Sequence, residues 1–476
     1  MLIAGAVLAA GCVRLIGHVG PRGDGLAADG PADAAPGDRR SPDSAPPLRL
    51  EPSWAFGFGA AEADVGAGIA VDTVGNITIT GSFRGAVDFG GGALTSAGGA
   101  DVFVASYDAK GAHRWSKRFG GGGQDAGHAV ALDSGGNVFV VGACEGSVTF
   151  GGPAVGGAGS ADAFVVSLDA TGAHRWSRAL GGSGYDAGLG VTVDPNGDVA
   201  ATGTYQGTVD FGDGPVTSLG GDDVFVVGLD AKGTPRWSRV FGSAGSDAGH
   251  GVGAAGNGYV TVTGRYAGST SFGASVVASA GGNDIFVASY GPLSLHRWSR
   301  GVGFPLADVG YDVAVDSGGE ITVTGAFSGT VNFGDDLITS SGGQDLFVAR
   351  YGPDGAALWS TAHGGPGNEA GRGVALDGVG NIVITGAFDG TTDLGGGALT
   401  SAGGSDVFVA IYGPSGAHRF SLRFGGTGDD GGSKAAVDRS GNVALVGSFA
   451  EEVDLGGGGK LKSAGATDVF LVQLAP

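Results

Sequence analysis

An aromatic residue recurs at Trp54, Trp115, Trp176, Trp237, Trp298, Trp359 and Phe420, each 61 residues after the one before, with no insertion or deletion between them. A period of this length and strictness marks a repeat architecture, in which each unit buries its apolar faces against its neighbours. The 476 residues are therefore read as one repeating body, although length alone would suggest roughly three domains. Glycine, 103 residues in all, falls at fixed repeat positions beside regular Val, Ile, Phe and Trp. It punctuates turns; scattered glycine would instead signal low complexity.

Each unit reads as four strands. The first has the pattern seen from His128 to Asp133, and a Gly-Gly turn leads to the second, Asn137 to Gly142. A long Gly-rich connection, Phe83 to Ala100 in the first unit, precedes the third strand, Asp101 to Tyr107. A turn such as Asp108-Ala109-Lys110-Gly111 then leads to the strand carrying the Trp. Alternating β-branched residues between Gly, Asp and Asn turns specify strands, and no segment carries a helical period. Four antiparallel strands per unit make the blade of a β-propeller. Hairpins beginning near Ile69, Val130, Val191, Val252, Val313, Val374 and Ala435 count seven blades.

The ends specify closure. The last unit stops after its third strand, Val469 to Leu474, while an orphan Trp strand around Trp54 precedes the first hairpin. Pairing the two completes the seventh blade and removes two open sheet edges. The expected fold is all-β: a seven-bladed β-propeller of four-stranded blades over residues 51–476, closed by its N-terminal outer strand.

Residues 1–12 form an apolar run ending Leu8-Ala9-Ala10-Gly11-Cys12, which resembles the lipobox of a bacterial lipoprotein signal, with Cys12 as the lipidated residue. Residues 13–50 are rich in Pro, Ala, Gly and Asp and are expected to be a disordered linker. Once Cys12 is acylated, Cys144 is the only thiol left and no intramolecular disulfide can form. No other stretch is long and apolar enough to span a bilayer, so the expectation is a protein anchored to an envelope membrane without crossing it. A formal charge of −21 and a pI near 4.5 argue against nucleic acid, whose phosphates demand clustered Lys and Arg.

Together, Asp-Val-Phe-Val-Ala-x-Tyr, Gly-x-x-x-Trp-Ser, Gly-Gly-x-Gly-x-Asp-x-Gly and Val-Ala-Val-Asp-x-x-Gly-Asn-Val-x-Val-Thr-Gly resemble the bacterial β-propeller repeat called SBBP, over about residues 51–476. The resemblance implies an exported or surface-attached bacterial propeller. It brings no shared reaction and no catalytic residue.

The Gly-Gly-x-Gly-x-Asp motif overlaps the calcium nonapeptide of β-rolls, but here it occurs once per 61 residues, so neighbouring turns cannot share an ion. Its acid is periodic: Asp64, Asp125, Asp186, Asp247, Asp308, Glu369 and Asp430. Two readings compete. The seven could form a cation ring at the channel mouth, with calcium as the ion, or each could accept backbone N–H bonds within its own turn. The second is preferred, because a feature present in every blade is first explained by the blade. Asp72, Asp133, Asp194, Asp316, Asp377 and Asp438 likewise read as turn caps, with Ala255 breaking the series. The Trp series, with Phe103 and its equivalents, reads as blade-to-blade core. His113, His174, His296 and His418 lie on different blades, too far apart to share a metal. No dinucleotide fingerprint is followed by a helix, and no nucleophile elbow is present.

Function is expected where the repeat is broken on the face carrying the long connections and Gly-rich loops. The breaks there are Phe304-Pro305-Leu306, Tyr185, and Glu451-Glu452 with Lys460 and Lys462. Phe304, Leu306 and Tyr185 are the binding candidates. The expected protein is a monomeric, non-enzymatic, lipid-anchored envelope scaffold without a cofactor, binding a protein or glycan through that face. The alternative is an envelope hydrolase or lyase with a carboxylate site at the channel mouth. Unlike polar groups in the channel would favour the enzyme, and a uniform ring of glycines and carboxylates the scaffold.

Overall fold

The computed structural model describes residues 13–15, 48–157, 159–456 and 459–476, the first three by backbone alone. Seven antiparallel sheets surround an axis, six of them with their strands in chain order from the inside outward. Blade two runs Asp125–Leu132, Val138–Cys144, Asp162–Leu168 and His174–Ala179. Blade seven takes its outer strand from the other end of the chain: Glu51–Phe58 pairs with Lys460–Ala475, from Glu51 opposite Ala475 to Phe58 opposite Val469. The ring is closed as the repeat phase predicts.

Seven large apolar clusters hold the ring, each built from facing sides of two adjacent blades. Val102, Val104 and Phe119 of blade one, for example, pack on Val138, Val140 and Phe150 of blade two. A blade alone would leave both faces wet, so the ring is the smallest body that buries them. The tryptophans strap neighbours together from the rim. Trp115 Nε1 donates to the Ala170 carbonyl of the next blade at 3.0 Å, and its ring lies against Gly172. Gly172 has φ 78°, where a Cβ would be strained and would also stand 2.8 Å from the indole. Trp54 alone is fully buried; the other five are half-buried.

Three features depart from expectation. The long connection is not irregular: in blades one to six it folds into a small hairpin, Ala86–Asp88 with Ala93–Thr95 in blade one. Val87 and Phe89 of that hairpin are fully buried, and Tyr107 Oη donates to the Phe89 carbonyl at 2.8 Å. In blade seven the same segment fuses with its strands, giving the long hairpin of Val443–Asp454 and Lys460–Ala475. Finally, the region expected to be linker touches the body at both ends. Leu50 is buried in the core with Leu48 beside it, and Val13–Leu15 pairs with Ala55–Gly57 on the outer edge of the closing strand. An outermost strand offers a free row of backbone donors and acceptors, which such a segment satisfies. Cys12 and the signal segment lie outside the described residues.

Candidate functional site

The periodic acids are enclosed in the blade junctions and are not displayed to the channel. Asp64, Asp125, Asp186, Asp247, Asp308, Glu369 and Asp430 are all at most 1% exposed. In the six aspartates one carboxylate oxygen accepts the N–H four residues before and the other an N–H twenty residues after. In Asp186 these come from Gly182 at 2.7 Å and Gln206 at 3.0 Å. Glu369 keeps the first bond, from Gly365 at 3.1 Å, and its Oε1 has no hydrogen-bond partner among the described residues. The Gly-rich turn and the start of the long connection leave backbone donors unpaired, and the carboxylate satisfies both. Among the described residues, no three His, Cys, Asp or Glu side chains stand close enough to hold a metal ion.

A second acid sits beside each of these, at the head of a third strand: Asp101, Asp162, Asp223, Asp284, Asp345, Asp406 and Asp468, at most 3% exposed. Each junction thus buries two carboxyl groups. Burial pushes Asp64, Asp186, Asp308 and Asp430 of the first series, and Asp223 and Asp468 of the second, up to about 6. It raises Glu369 to about 7, and the neighbouring Asp345 adds repulsion. Arg118 and Arg423 supply countercharge to Asp101 and Asp406.

The channel breaks the sevenfold pattern. Every inner strand carries a β-bulge at the same place, where the register to the second strand skips one residue. The skipped residues are Ala67, His128, Leu189, His250, Tyr311, Arg372 and Ser433. The next position is Gly in four blades because adjacent inner strands nearly touch: a Cβ on Gly251 would stand 2.8 Å from Asp312 Cα, and one on Gly373 equally close to Lys434 Cα. Asp312 and Lys434 occupy that position in blades five and seven and pair at 2.8 Å, while Asp312 also accepts the Val374 N–H of blade six at 3.0 Å. His128 Nδ1 lies 2.9 Å from the Gly188 carbonyl, as a donor. The inner strands of all seven blades enclose a cavity of about 160 Å³ lined in part by His250, Asp312 and Lys434. These unlike polar groups are the residues that the sequence reading missed. The signal was there, since the two residues after the Gly shared by every inner strand vary while that Gly repeats.

The three binding candidates remain apart. Phe304 and Leu306 are 50% and 56% exposed on the loop between blades four and five, and Tyr185, 43% exposed, lies two junctions away. Their loops are rigid: the Phe304 N–H caps Asp308 at 3.1 Å, and Ala161 bridges to Tyr185. Glu452 pairs with Lys460 at 2.7 Å and Glu451 accepts the Thr427 hydroxyl at 2.6 Å, so that break is internally satisfied. On the opposite face, Leu293 and Leu295 stand 72% and 67% exposed in a turn that replaces the usual Asp-x-x-Gly, with Leu293 at φ 58° and Ser294 at φ 61°. Of the four histidines that stand two residues before the rim aromatic, His113, His174 and His296 each approach a serine of their own strand at 3.2 Å. Cys144 is buried, and desolvation lifts its thiol to about 12, which leaves it inert. No helix among the described residues is long and apolar enough to cross a membrane.

Strand order and closure define the class, a seven-bladed β-propeller. No protein-family model matches the chain. An uncharacterized WD repeat-containing protein, L264 of Acanthamoeba polyphaga mimivirus, is 23% identical over 501 aligned residues, an alignment covering 83% of this chain and 36% of that protein. Among solved structures, the Pan2 WD40 domain of Neurospora crassa aligns at a TM-score of 0.44 and 12% identity, covering 86% of this chain and 89% of that one. Sqt1 from Chaetomium thermophilum gives 0.42 and 12%, covering 90% and 100%.

Proposed function

We propose that the chain is a non-enzymatic binding propeller, held in a bacterial envelope by a lipid on Cys12, that takes a protein or glycan partner on its long-loop face. The carrying observation is that Tyr185, Phe304 and Leu306 leave apolar surface in solvent on loops whose backbone is otherwise fixed by buried carboxylates. Aromatic and aliphatic side chains presented on rigid loops lose little freedom on binding and serve as interface anchors. The lipobox-like residues 8–12 and the SBBP-like repeat support export.

A second reading, an enzyme, is favoured by the unlike polar groups of the channel. Against it, Asp312 is the one carboxylate of the described residues lining that cavity, and it is committed to Lys434 and Val374. A hydrolase or lyase of the expected carboxylate type needs a free acid there.

The test is binding of the purified chain to an array of envelope polysaccharides and peptidoglycan fragments, with the captured glycan assayed for new ends. Retention without turnover is expected. Replacing Tyr185, Phe304 and Leu306 together by Ser should abolish retention while moving stability by less than about 0.5 kcal/mol, as surface changes do. Turnover that His250→Ala abolishes would replace this reading with the enzyme. Cys12→Ser should release the protein from the membrane fraction.

A further inference from the structure

We infer that the axial cavity is a binding site for one small anionic group, a carboxylate or a tetrahedral oxyanion. This goes beyond the proposed partner on the long-loop face and does not depend on it.

This acidic chain places scarce cations at its axis. With 47 Asp and Glu against 26 Lys and Arg, a random cavity would be acidic. The axis instead brings Lys434 and Arg265 near His250, with Asp312 as the acid opposite. Lys434 and Asp312 stand where four other blades have glycine and one has Ala129, at a position where the repeat itself asks for no side chain. Arg265 faces Ala248 on the second strand of the same blade as His250. The equivalent positions elsewhere are Ser82, Ala143, Thr204, Ala326, Ala387 and Ser448, so this cation too is outside the repeat.

Two of these groups are unfinished. His250 Nε2 and Arg265 Nε are both buried, and neither has a hydrogen-bond partner among the described residues. A buried polar atom without a partner costs free energy and is rare unless a ligand or ordered water completes it. Lys434 adds capacity, for an ammonium has three donors and Asp312 takes one. Burial first, then the charges of Arg265 and Lys434, press the His250 imidazole down to about 3, so the ring is neutral where its nitrogen is unpaired. An anion there would accept from Lys434 and His250, which line the cavity, with the Arg265 charge close behind His250, and such charge-assisted bonds are the strong kind.

Size is consistent with the class. Water takes about 30 Å³ of liquid volume, so a cavity of about 160 Å³ has room for one carboxylate or phosphate-sized group with a little water. The anion is either a free inorganic ion or the acidic end of a ligand whose remainder lies outside the cavity.

The experiment is thermal unfolding and calorimetric titration of the full chain with sodium phosphate, sodium acetate and sodium glucuronate, each against sodium chloride at equal ionic strength. The expected result is a saturable rise in midpoint with at least one of the three. His250→Phe should weaken that anion roughly tenfold or more, the cost of one charge-assisted hydrogen bond, and Arg265→Leu should weaken it by less, through the loss of nearby charge. Asp312→Asn should tighten it, because it frees Lys434 and removes a like charge. Phosphate binding best identifies a free oxyanion, and glucuronate binding far better than acetate identifies the acidic end of a sugar. Should a variant fail to fold, NMR of the labelled His250 ring in the wild-type chain supplies the same answer, since its signal must move with the anion. No shift beyond chloride with any of the three salts at tens of millimolar, together with an unmoved His250 signal, overturns the assignment.

Discussion

In the blade junctions a pair of carboxyl groups is buried seven times over, whereas at the inner-strand bulge the seven blades carry six kinds of side chain. The junction acids are held by backbone that every blade must satisfy: lose one of the six first-series aspartates, such as Asp186, and two N–H groups lose their acceptor. The bulge residue pairs with nothing in the second strand, so the repeat places no demand on it. Identity across the repeats therefore measures architectural need, and variation marks where the ring is free to specialise.

The largest effect should come from closure, on which all seven junctions depend. A chain lacking Glu51–Phe58 leaves the third strand of blade seven open, and its cooperative urea transition should disappear. The single change Phe58→Ala, at a side chain 2% exposed, should cost about 3–5 kcal/mol in the same experiment.

Next come the glycines. A Cβ at Gly203 would drive into the Ala187 carbonyl oxygen, while one at Gly378 meets nothing within 4 Å. Gly203→Ala should lower stability by about 3 kcal/mol and Gly378→Ala by no more than about 0.5, read from urea midpoints. Equal effects would erase the distinction between demanded and tolerated positions.

The buried pairs set a pH dependence of smaller size. The folded-state values near 6 for Asp64, Asp186, Asp223, Asp308, Asp430 and Asp468, and near 7 for Glu369, lie above the unfolded values of about 4. The folded chain therefore holds more protons between those limits, and stability falls as pH rises through 6 to 7. The stabilising protonation is complete only below about pH 4, where other carboxylates begin to lose their partners. Stability at pH 8 should be lower than at pH 5 by at least about 2 kcal/mol, measured by urea unfolding. Glu369→Gln, at the acid of the first series whose second oxygen lacks the bond its six equivalents make, should recover about 1 kcal/mol at pH 8 and nothing at pH 5.

The smallest effect concerns the tight turns of the other face. Asp133 accepts the N–H groups of Gly135 and Asn137, both at 2.9 Å, and blade four replaces this cap with Ala255. Asp133→Ala should cost about 1 kcal/mol, and Ala255→Asp should gain somewhat less, by thermal midpoint.

The 61-residue spacing of the tryptophans made blade number, strand order and closure legible, because one phase error anywhere would have left two strands unpaired. The small hairpins of the long connection were not legible: strands of three residues between glycines look like loop until Val87 and Phe89 are seen to be buried. Nor was the channel. Alternation assigns faces by counting in twos, and the bulge adds one residue, so His250 and Tyr311 lie on the face opposite to the one counting assigns. The exposure of Phe304, Leu306 and Tyr185 could be read from the chain, but their separation could not, since it depends on the angle between junctions.

The closing strand also decides how the molecule bears load. Glu51 and Ala475 face each other at the same end of one ladder. Pulling the two chain ends apart would peel that ladder one rung at a time, like a zipper. Dragging the whole ring away from a tether attached before residue 48 would instead load all seven paired positions in shear at once. Resistance to forced opening follows the barrier along the direction of pull and not the equilibrium stability. A propeller tethered by its N-terminus and gripped on its face is thus loaded along its stiff direction.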